Sequence, residues 1–599
     1  MNATVEALRK ASLLGPLDEH CARTVCRIAG EPHPDVLLAA AVAARQVGLG
    51  HVCVDLRMLA ASGRLVADDG VTVHDVAWPD PAGWIDRLQR SSAVGEPSDA
   101  ERRPLVLDRA GRLYLRRYFE HEQRLAASIV RRATAHATSP ADHELETALD
   151  RLFGPTSAAS PDRQRDAART AVTRRLCIIS GGPGTGKTST VVKILALLVE
   201  QQLRARRRPP RVLLVAPTGK AAMRLSEAIR RAKSGLDCSE DVRAAIPEEG
   251  STIHRALGSI GRTGTRFRHD ADHPLRADVV LVDEASMVDL ALMARLVDAV
   301  PPDARLVLLG DKDQLASVEA GAVLGELCAL PDGSAATAAH PLGSAIVELE
   351  RSWRYREGSG IEALARAINA ADATRVLEIL DDPAFDDVER SAPGDGVALS
   401  ERLRGDALRG ALAYLDRPEP AARLQALEEF RILCAHRAGP HGVASANREV
   451  EELLADRRRI DRQHGATYAG RPVIITRNDY QVQLFNGDVG TIVAQGDKRL
   501  AFFVAPDGTE RLLSPARLPP HETVFAMTIH KSQGSEFDHV AVLLGDRSSP
   551  LLTRELLYTA VTRARRKVTL YATEAVLREA IQRRTERGSG LRDALKGAS

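Results

Sequence analysis

The 599-residue chain has almost no charge imbalance: 82 Lys plus Arg stand against 80 Asp plus Glu, a formal net charge of +2. No global field therefore draws it to nucleic acid, and any polyanion has to be held by local clusters. Three basic runs could do so, RARRRPPR at 204–211, DRRRIDR at 456–462 and TRARRK at 562–567, although most such runs are solvated faces. The seven cysteines are scattered and contain no C-x-x-C, which indicates neither a disulfide framework nor a four-ligand zinc site. Aromatic residues are 4% of the chain, so a stacking platform for bases has to be sparse. No apolar run nears the roughly 18 residues that cross a bilayer, and the opening MNATVEALRKASLLG lacks a basic stretch followed by a long apolar one. A soluble protein of a reducing, cytoplasmic compartment is expected, with no membrane association.

The length exceeds what one core can serve, and three or four domains are expected. Residues 1–140 are rich in Ala, Arg and Leu and carry no chemical motif. DVLLAAAVAARQVGLG and YLRRYFEHEQRLAASIVRRATA read as amphipathic helices and HVCVDL as a short strand, a mostly helical docking domain. GPTSAASPD at 154–162 reads as a linker. Over 158–340 the apolar strands LCIIS, RVLLVAPT, ADVVLVDE and ARLVLLGD alternate with helical segments, the pattern of a parallel sheet covered on both faces. Strand signals return over 341–599 in EFRILCAH, HVAVLLG and KVTLYA, a second α/β unit. Within it, 472–520 holds four short strands divided by Asn-Gly, Gln-Gly and Asp-Gly turns, read as an inserted small β-barrel. The acidic stretches near 237–249 and 381–389 read as solvated loops.

The chemistry starts with Gly181, Gly182, Pro183, Gly184, Thr185, Gly186, Lys187 and Thr188, a complete G-x-x-x-x-G-K-[ST] between an apolar strand and a helical segment. Glycines let backbone N–H groups turn inward around phosphates, and the following helix adds its positive end. Lys187 is expected to neutralise the β- and γ-phosphates of ATP and Thr188 to ligate Mg2+. Asp283 and Glu284 end a second apolar strand, which suits Asp283 to Mg2+ and Glu284 to the attacking water. Gln314 follows a third, and its amide can bond a γ-phosphate at one end and a protein group at the other.

The order and wording of these stretches resemble superfamily 1 helicases and, within them, the RecD family, that of the α subunit of bacterial exodeoxyribonuclease V. DRQRDA (162–167), GGPGTGKT (181–188), APTGKAAMRL (216–225), STIHRALG (251–258), LVDEASMVD (281–289), GDKDQLASVEAG (310–321), ERSWRY (350–355), GRPVIITRNDY (470–480), LFNGDVG (484–490), AMTIHKSQGSEF (526–537) and LLYTAVTRAR (556–565) carry the resemblance. It implies two RecA-like units with an ATP site between them, and it makes the inserted barrel SH3-like. Gln164 is implied to read adenine, Trp353 to stack on the base and Glu536 to touch the ribose. Arg354 and Arg563 are implied to reach the γ-phosphate from the second unit. Thr218, Lys220, Thr252, His254, Thr528, His530, Lys531 and Gln533 are implied to hold a DNA backbone, and 259–275 to be a strand-separating pin. The resemblance further implies 5′→3′ movement on single-stranded and end-containing duplex DNA, and a heterotrimer with a nuclease-helicase and a scaffold subunit. Two rival readings remain at this point: a free-standing helicase of the same superfamily, and a regulatory subunit that uses nucleotide as a switch.

Overall fold

The computed structural model describes residues 3–598 apart from 31–32, 63–64, 67–71, 74–77, 100, 138–140, 156–161, 206, 262–265, 331–339, 392–400, 480 and 506–507. Six parallel strands form the first large sheet, in the order Ile346–Leu349, Leu176–Gly181, Arg305–Gly310, Val279–Val282, Val212–Ala216 and Gly250–Thr252. Leu176–Gly181 and Val279–Val282 are buried at every position, because helices cover both faces of the sheet. Side chains alternate between the two covers as the period of a strand demands. Ile178, Val280, Leu306 and Leu308 enter one core, while Cys177, Ile179, Leu281 and Val307 enter the other.

The second sheet is also wholly parallel, in the order Val388–Ser391, Ala564–Ala572, Phe537–Gly545, Phe430–Cys434 and Ala526–Thr528. Between Phe430–Cys434 and Ala526–Thr528 the chain builds an antiparallel sheet ordered Glu510–Leu513, Lys498–Val504, Val489–Gln495, Pro472–Ile475 and His521–Thr523. Its strands wrap a small core of their own, centred on Val473, Ile475, Ile492 and Phe503. Four of its five strands coincide with the four segments expected there; the fifth, His521–Thr523, is too short to show alternation.

The N-terminal region combines helices Ala3–Lys10, Pro16–Ala29, Pro34–Gly48, Pro81–Gln89 and Arg116–Thr134 with a mixed four-stranded sheet, Val54–Asp55, Arg112–Leu115, Leu105–Leu107 and Val94–Gly95. Strands of two to four residues carry no readable period, which is why the sequence shows one strand alone here. The region is not free of the first large unit. Leu125, Ile129 and Ala133 of Arg116–Thr134 share a core with the first large sheet. Buried Arg132 donates to the carbonyls of Val300, Pro301 and Ala304 at 2.6, 3.1 and 3.1 Å, satisfying acceptors beyond the helix Leu290–Ala299. Among the described residues no helix is long and apolar enough to cross a membrane.

After the last helix of the second unit, residues 585–598 run back as a strap across the other two. Thr585 is still held by that unit, its N–H and hydroxyl both 2.9 Å from Glu555 Oε2. Arg587 already donates to Leu49 O at 3.3 Å and Ser317 O at 3.0 Å, and Gly588 O accepts from the N–H groups of Val52 and Cys53. Ser589 Oγ then stands 2.9 Å from both Glu122 Oε2 and Glu326 Oε2, while the N–H of Gly590 donates to Glu122. One hydroxyl proton cannot serve two carboxylates, so the arrangement is complete only when one of them is protonated. Burial raises both Glu122 and Glu326 to about 7 from the ordinary 4.5, and Glu122 further raises Glu326; Arg112 and Arg592 oppose the shift.

Carboxyls raised in the folded state stabilise it fully below the ordinary value and lose that contribution as pH rises to the raised one. Thermal stability of the intact chain should therefore fall as pH rises from 4.5 to about 7. Glu326→Gln, whose amide donates without titrating, should flatten that slope. Parallel slopes in melts of the two proteins would refute the shared-proton arrangement.

Candidate nucleotide-binding cleft

The strand Leu176–Gly181 delivers the glycine-rich loop to the edge where the two large units meet, and the helix Lys187–Arg204 departs from it. Gly184 and Gly186 adopt left-handed backbone, φ 77° and 81°. A Cβ at Gly184 would lie 2.3 Å from Arg354 Cβ, where there is no room for it, and one at Gly186 would displace the Gln164 amide, 2.4 Å away at Nε2. Gln164 donates to Thr185 O at 3.0 Å and the N–H of Trp353 to Gly184 O at 2.8 Å, so both close on the loop from outside. The Trp353 indole is 61% exposed, with the Arg351 guanidinium 4.0 Å above its ring. Lys187 curls over its own loop, Nζ donating to Gly181 O at 2.5 Å and Gly182 O at 2.9 Å. Thr188 stands in the first turn of the same helix.

Facing the loop, Asp283 and Glu284 follow Val279–Val282, with Glu284 itself left-handed at φ 51° and its N–H on Asp283 Oδ1 at 2.9 Å. Burial, and then Glu284, push the Asp283 carboxyl up, while Lys187 pulls it down. The second unit supplies cations. Arg354 Nη2 lies 2.5 Å from Glu536 Oε1, and Arg354 Nη1 is buried with no hydrogen-bond partner among the described residues. Arg563, 3% exposed, donates to Thr559 O at 3.1 Å and Ser535 O at 3.3 Å. Arg224, on the helix Gly219–Ser234 of the first unit, interacts with Glu536, Arg563 and Glu284, and burial lowers its pKa. One ammonium and three guanidiniums therefore surround the cleft, and an unpartnered donor points to an anionic guest. This fits a polyphosphate, and the adjacent carboxylates with Thr188 are hard oxygen donors that fit Mg2+. Gln314 is held in the meantime by Asp311, its Nε2 donating to Oδ2 at 3.0 Å.

The residues expected to meet DNA divide into four kinds. Thr218, Thr252 and Thr528 each accept a backbone N–H, from Ala221, Arg255 and Lys531, all at 3.2 Å. An accepting hydroxyl keeps its own proton, so each can still donate to a phosphate. His254 is exposed, 5.8 Å from the Phe267 ring of the hairpin Ser259–Ile260 and Arg266–Phe267, whose connecting residues 262–265 lie outside the described set. His530 has a lowered pKa, through burial and the nearby Arg587. The cations are occupied: Lys531 pairs with Glu522 at 2.9 Å, and Lys220 donates to Ser535 Oγ of the other unit at 2.6 Å. Burial, with Arg224 and Arg431 close by, lowers Lys220 to about 7. Gln533 lies inside the interface between the units, 8% exposed and donating to Leu315 O at 2.9 Å.

Comparison with known proteins matches residues 10–114 to the model of the RecBCD enzyme subunit RecD, N-terminal domain. Residues 164–320 match an AAA domain and 523–571 a UvrD-like helicase C-terminal domain. The RecBCD enzyme subunit RecD of Mycolicibacterium smegmatis is 41% identical over 600 residues, covering 98% of either chain. The chain belongs to the RecD family. Its counterpart in Mycobacterium tuberculosis is 42% identical over 99% of this chain and 96% of its own. The ATP-dependent RecD2 DNA helicase of Deinococcus radiodurans is 32% identical, over 76% of this chain and 54% of its own. For a RecD family member a P-loop in this setting means nucleotide use.

Three cleft residues escaped the sequence reading: Arg224, Asp311 and Tyr558. All lie inside quoted motif stretches, so the missing signal was burial and the partner across the cleft. Arg354→Ala should lower kcat for ATP at least about a hundredfold, as loss of a preorganised cation does. Glu536→Gln, which frees the same guanidinium, should cost far less in a steady-state assay. Equal losses would mean that Arg354 matters only as an ion pair.

Proposed function

We propose that this chain is the ATP-dependent 5′→3′ helicase subunit of an exodeoxyribonuclease V complex, unwinding DNA ends in double-strand-break repair and recombination. The observation that carries the reading is a P-loop whose facing cations come from the other unit of the same chain, Arg354 and Arg563 against Lys187. A cation donated across a cleft makes hydrolysis depend on closure, and the same closure moves the threonine-lined segments of the two units relative to each other. Alternating grip on a strand then turns turnover into steps, and DNA that favours the closed state also favours ATP.

In this reading Lys187 and the loop amides cradle the triphosphate, Gln164 and Trp353 hold the base and Glu536 borders the ribose. Glu284 orients the attacking water, and Gln314, Arg354 and Arg563 stabilise the γ-phosphate. Asp283 and Thr188 would hold Mg2+, which neutralises developing phosphate charge when bound. The partners are a single strand or DNA end, together with a nuclease-helicase and a scaffold subunit. The helices ahead of Arg116–Thr134 are the docking surface, since that helix is committed to the motor core. Coverage of 98% of the M. smegmatis subunit against 54% of the RecD2 helicase favours the complex-bound type over the free-standing one.

Strand displacement by the purified chain, on duplexes with either a 5′ or a 3′ single-stranded tail, tests this. ATP-dependent unwinding from the 5′ tail, or single-strand-stimulated ATPase that unwinds once partners are added, is expected. Lys187→Gln should abolish turnover and retain most strand binding; undiminished turnover in that variant would overturn the reading, as would unwinding from the 3′ tail alone.

A further inference from the structure

Gln314 sits in a short segment gripped at three points from the opposite unit. Asp311 Oδ2, which accepts from the Gln314 amide, also accepts from the Tyr558 hydroxyl at 3.0 Å. The N–H of Leu315 donates to Thr559 Oγ1 at 2.9 Å, and its carbonyl accepts from Gln533 Nε2 at 2.9 Å. Tyr558 and Thr559 lie on the helix Arg554–Val561, which leads directly into Arg563. Gln533 lies in the segment that carries Thr528, His530 and Lys531. All the side chains concerned are buried: Asp311 is 2%, Gln314 7%, Tyr558 5%, Thr559 0% and Gln533 8% exposed.

The phenol is also at the phosphate loop, its oxygen 2.9 Å from where a Gly182 Cβ would stand. Burial and the neighbouring Asp311 raise the Tyr558 pKa well above its ordinary 10, so it stays a neutral donor under working conditions. An ionised Asp311 can only accept. Its Oδ1 takes the N–H of Asp313 at 3.1 Å, which leaves Oδ2 shared between one donor from each unit. The orientation of the Gln314 amide is thereby tied to the position of a side chain that moves with Arg563.

We infer that Tyr558 is a positioning residue for ATP hydrolysis, which acts through Asp311 on Gln314, and that Gln533 ties the same segment to the strand-holding part of the second unit. Occupancy of the groove and readiness of the γ-phosphate sensor then pass through one hydrogen-bonded cluster. The inference rests on the proposed motor reading and adds to it the residue that carries the coupling.

The test compares the intact chain with Tyr558→Phe, Asp311→Asn and the double variant, in steady-state ATPase assays with and without an oligo(dT) strand. Loss of one hydrogen bond to a carboxylate should lower strand-stimulated kcat about tenfold or more, with KM for ATP within about twofold. The double variant should fall no further than the worse single one, because both changes cut the same link. Strand-stimulated kcat in Tyr558→Phe within about twofold of the intact chain would overturn the inference, as would losses that add in the double variant. So would an equal fall with and without the strand, which a merely structural role produces. Absence of strand-stimulated turnover in the intact chain would instead remove the motor reading itself.

Discussion

A parallel sheet buried on both faces has no place for a polar side chain except at its edges and strand ends, and the chemistry of this protein follows from that constraint. The central stretches 176–179, 279–282 and 306–309 of three of its strands are apolar throughout, and each strand leads into the groups that matter: the phosphate loop, the Asp283 and Glu284 pair, and Asp311 with Gln314. Because adjacent strands run in register, these three sets emerge side by side. The second unit presents the opposite ends of its strands: Glu536 and Arg563 stand immediately ahead of Phe537–Gly545 and Ala564–Ala572, and helix residues such as Arg224 and Tyr558 complete the lining.

Charge is confined in the same way. The chain as a whole is nearly neutral, yet Lys187, Arg224, Arg354 and Arg563 converge on one cleft, answered by Asp283, Glu284 and Glu536. On the proposed reading a polyphosphate meets concentrated local charge, whereas DNA meets hydroxyls, a histidine edge and cations already engaged with Glu522 or Ser535. On that reading, binding of a strand exchanges those internal partners for phosphates, and affinity for DNA is linked to the contact between the units through Lys220.

Much of this was legible in the sequence because it is local. Continuous apolar runs named four of the six strands of the first large sheet and three of the five of the second, glycine-containing turns gave the inserted antiparallel sheet, and the phosphate loop identified itself by residue type and setting. What escaped depends on contacts between distant segments. Nothing local marks Tyr558 as the partner of Asp311, 247 residues away. The acidic stretch 381–389 reads as solvated, yet Asp387 is buried and accepts from Ser359 Oγ at 2.6 Å and the N–H of Gly360 at 2.9 Å, so it anchors the start of a helix. The N-terminal strands are too short for any period to show, and the strap has a composition like that of any polar tail.

The strap has a geometric consequence for how the motor can move. Thr585 is fastened to the second unit and Arg587 to the first unit and the N-terminal region, which leaves Glu586 alone between the two fastenings. The other crossing is as tight: Ser352 and Trp353 are bonded to the phosphate loop, while Arg354 and Tyr355 are bonded to Glu536 and Ala564. Two bodies pinned at two points without slack can neither slide apart nor twist freely; they can only swing about the line through both pins. Any opening of the cleft would be that of a door on two hinges.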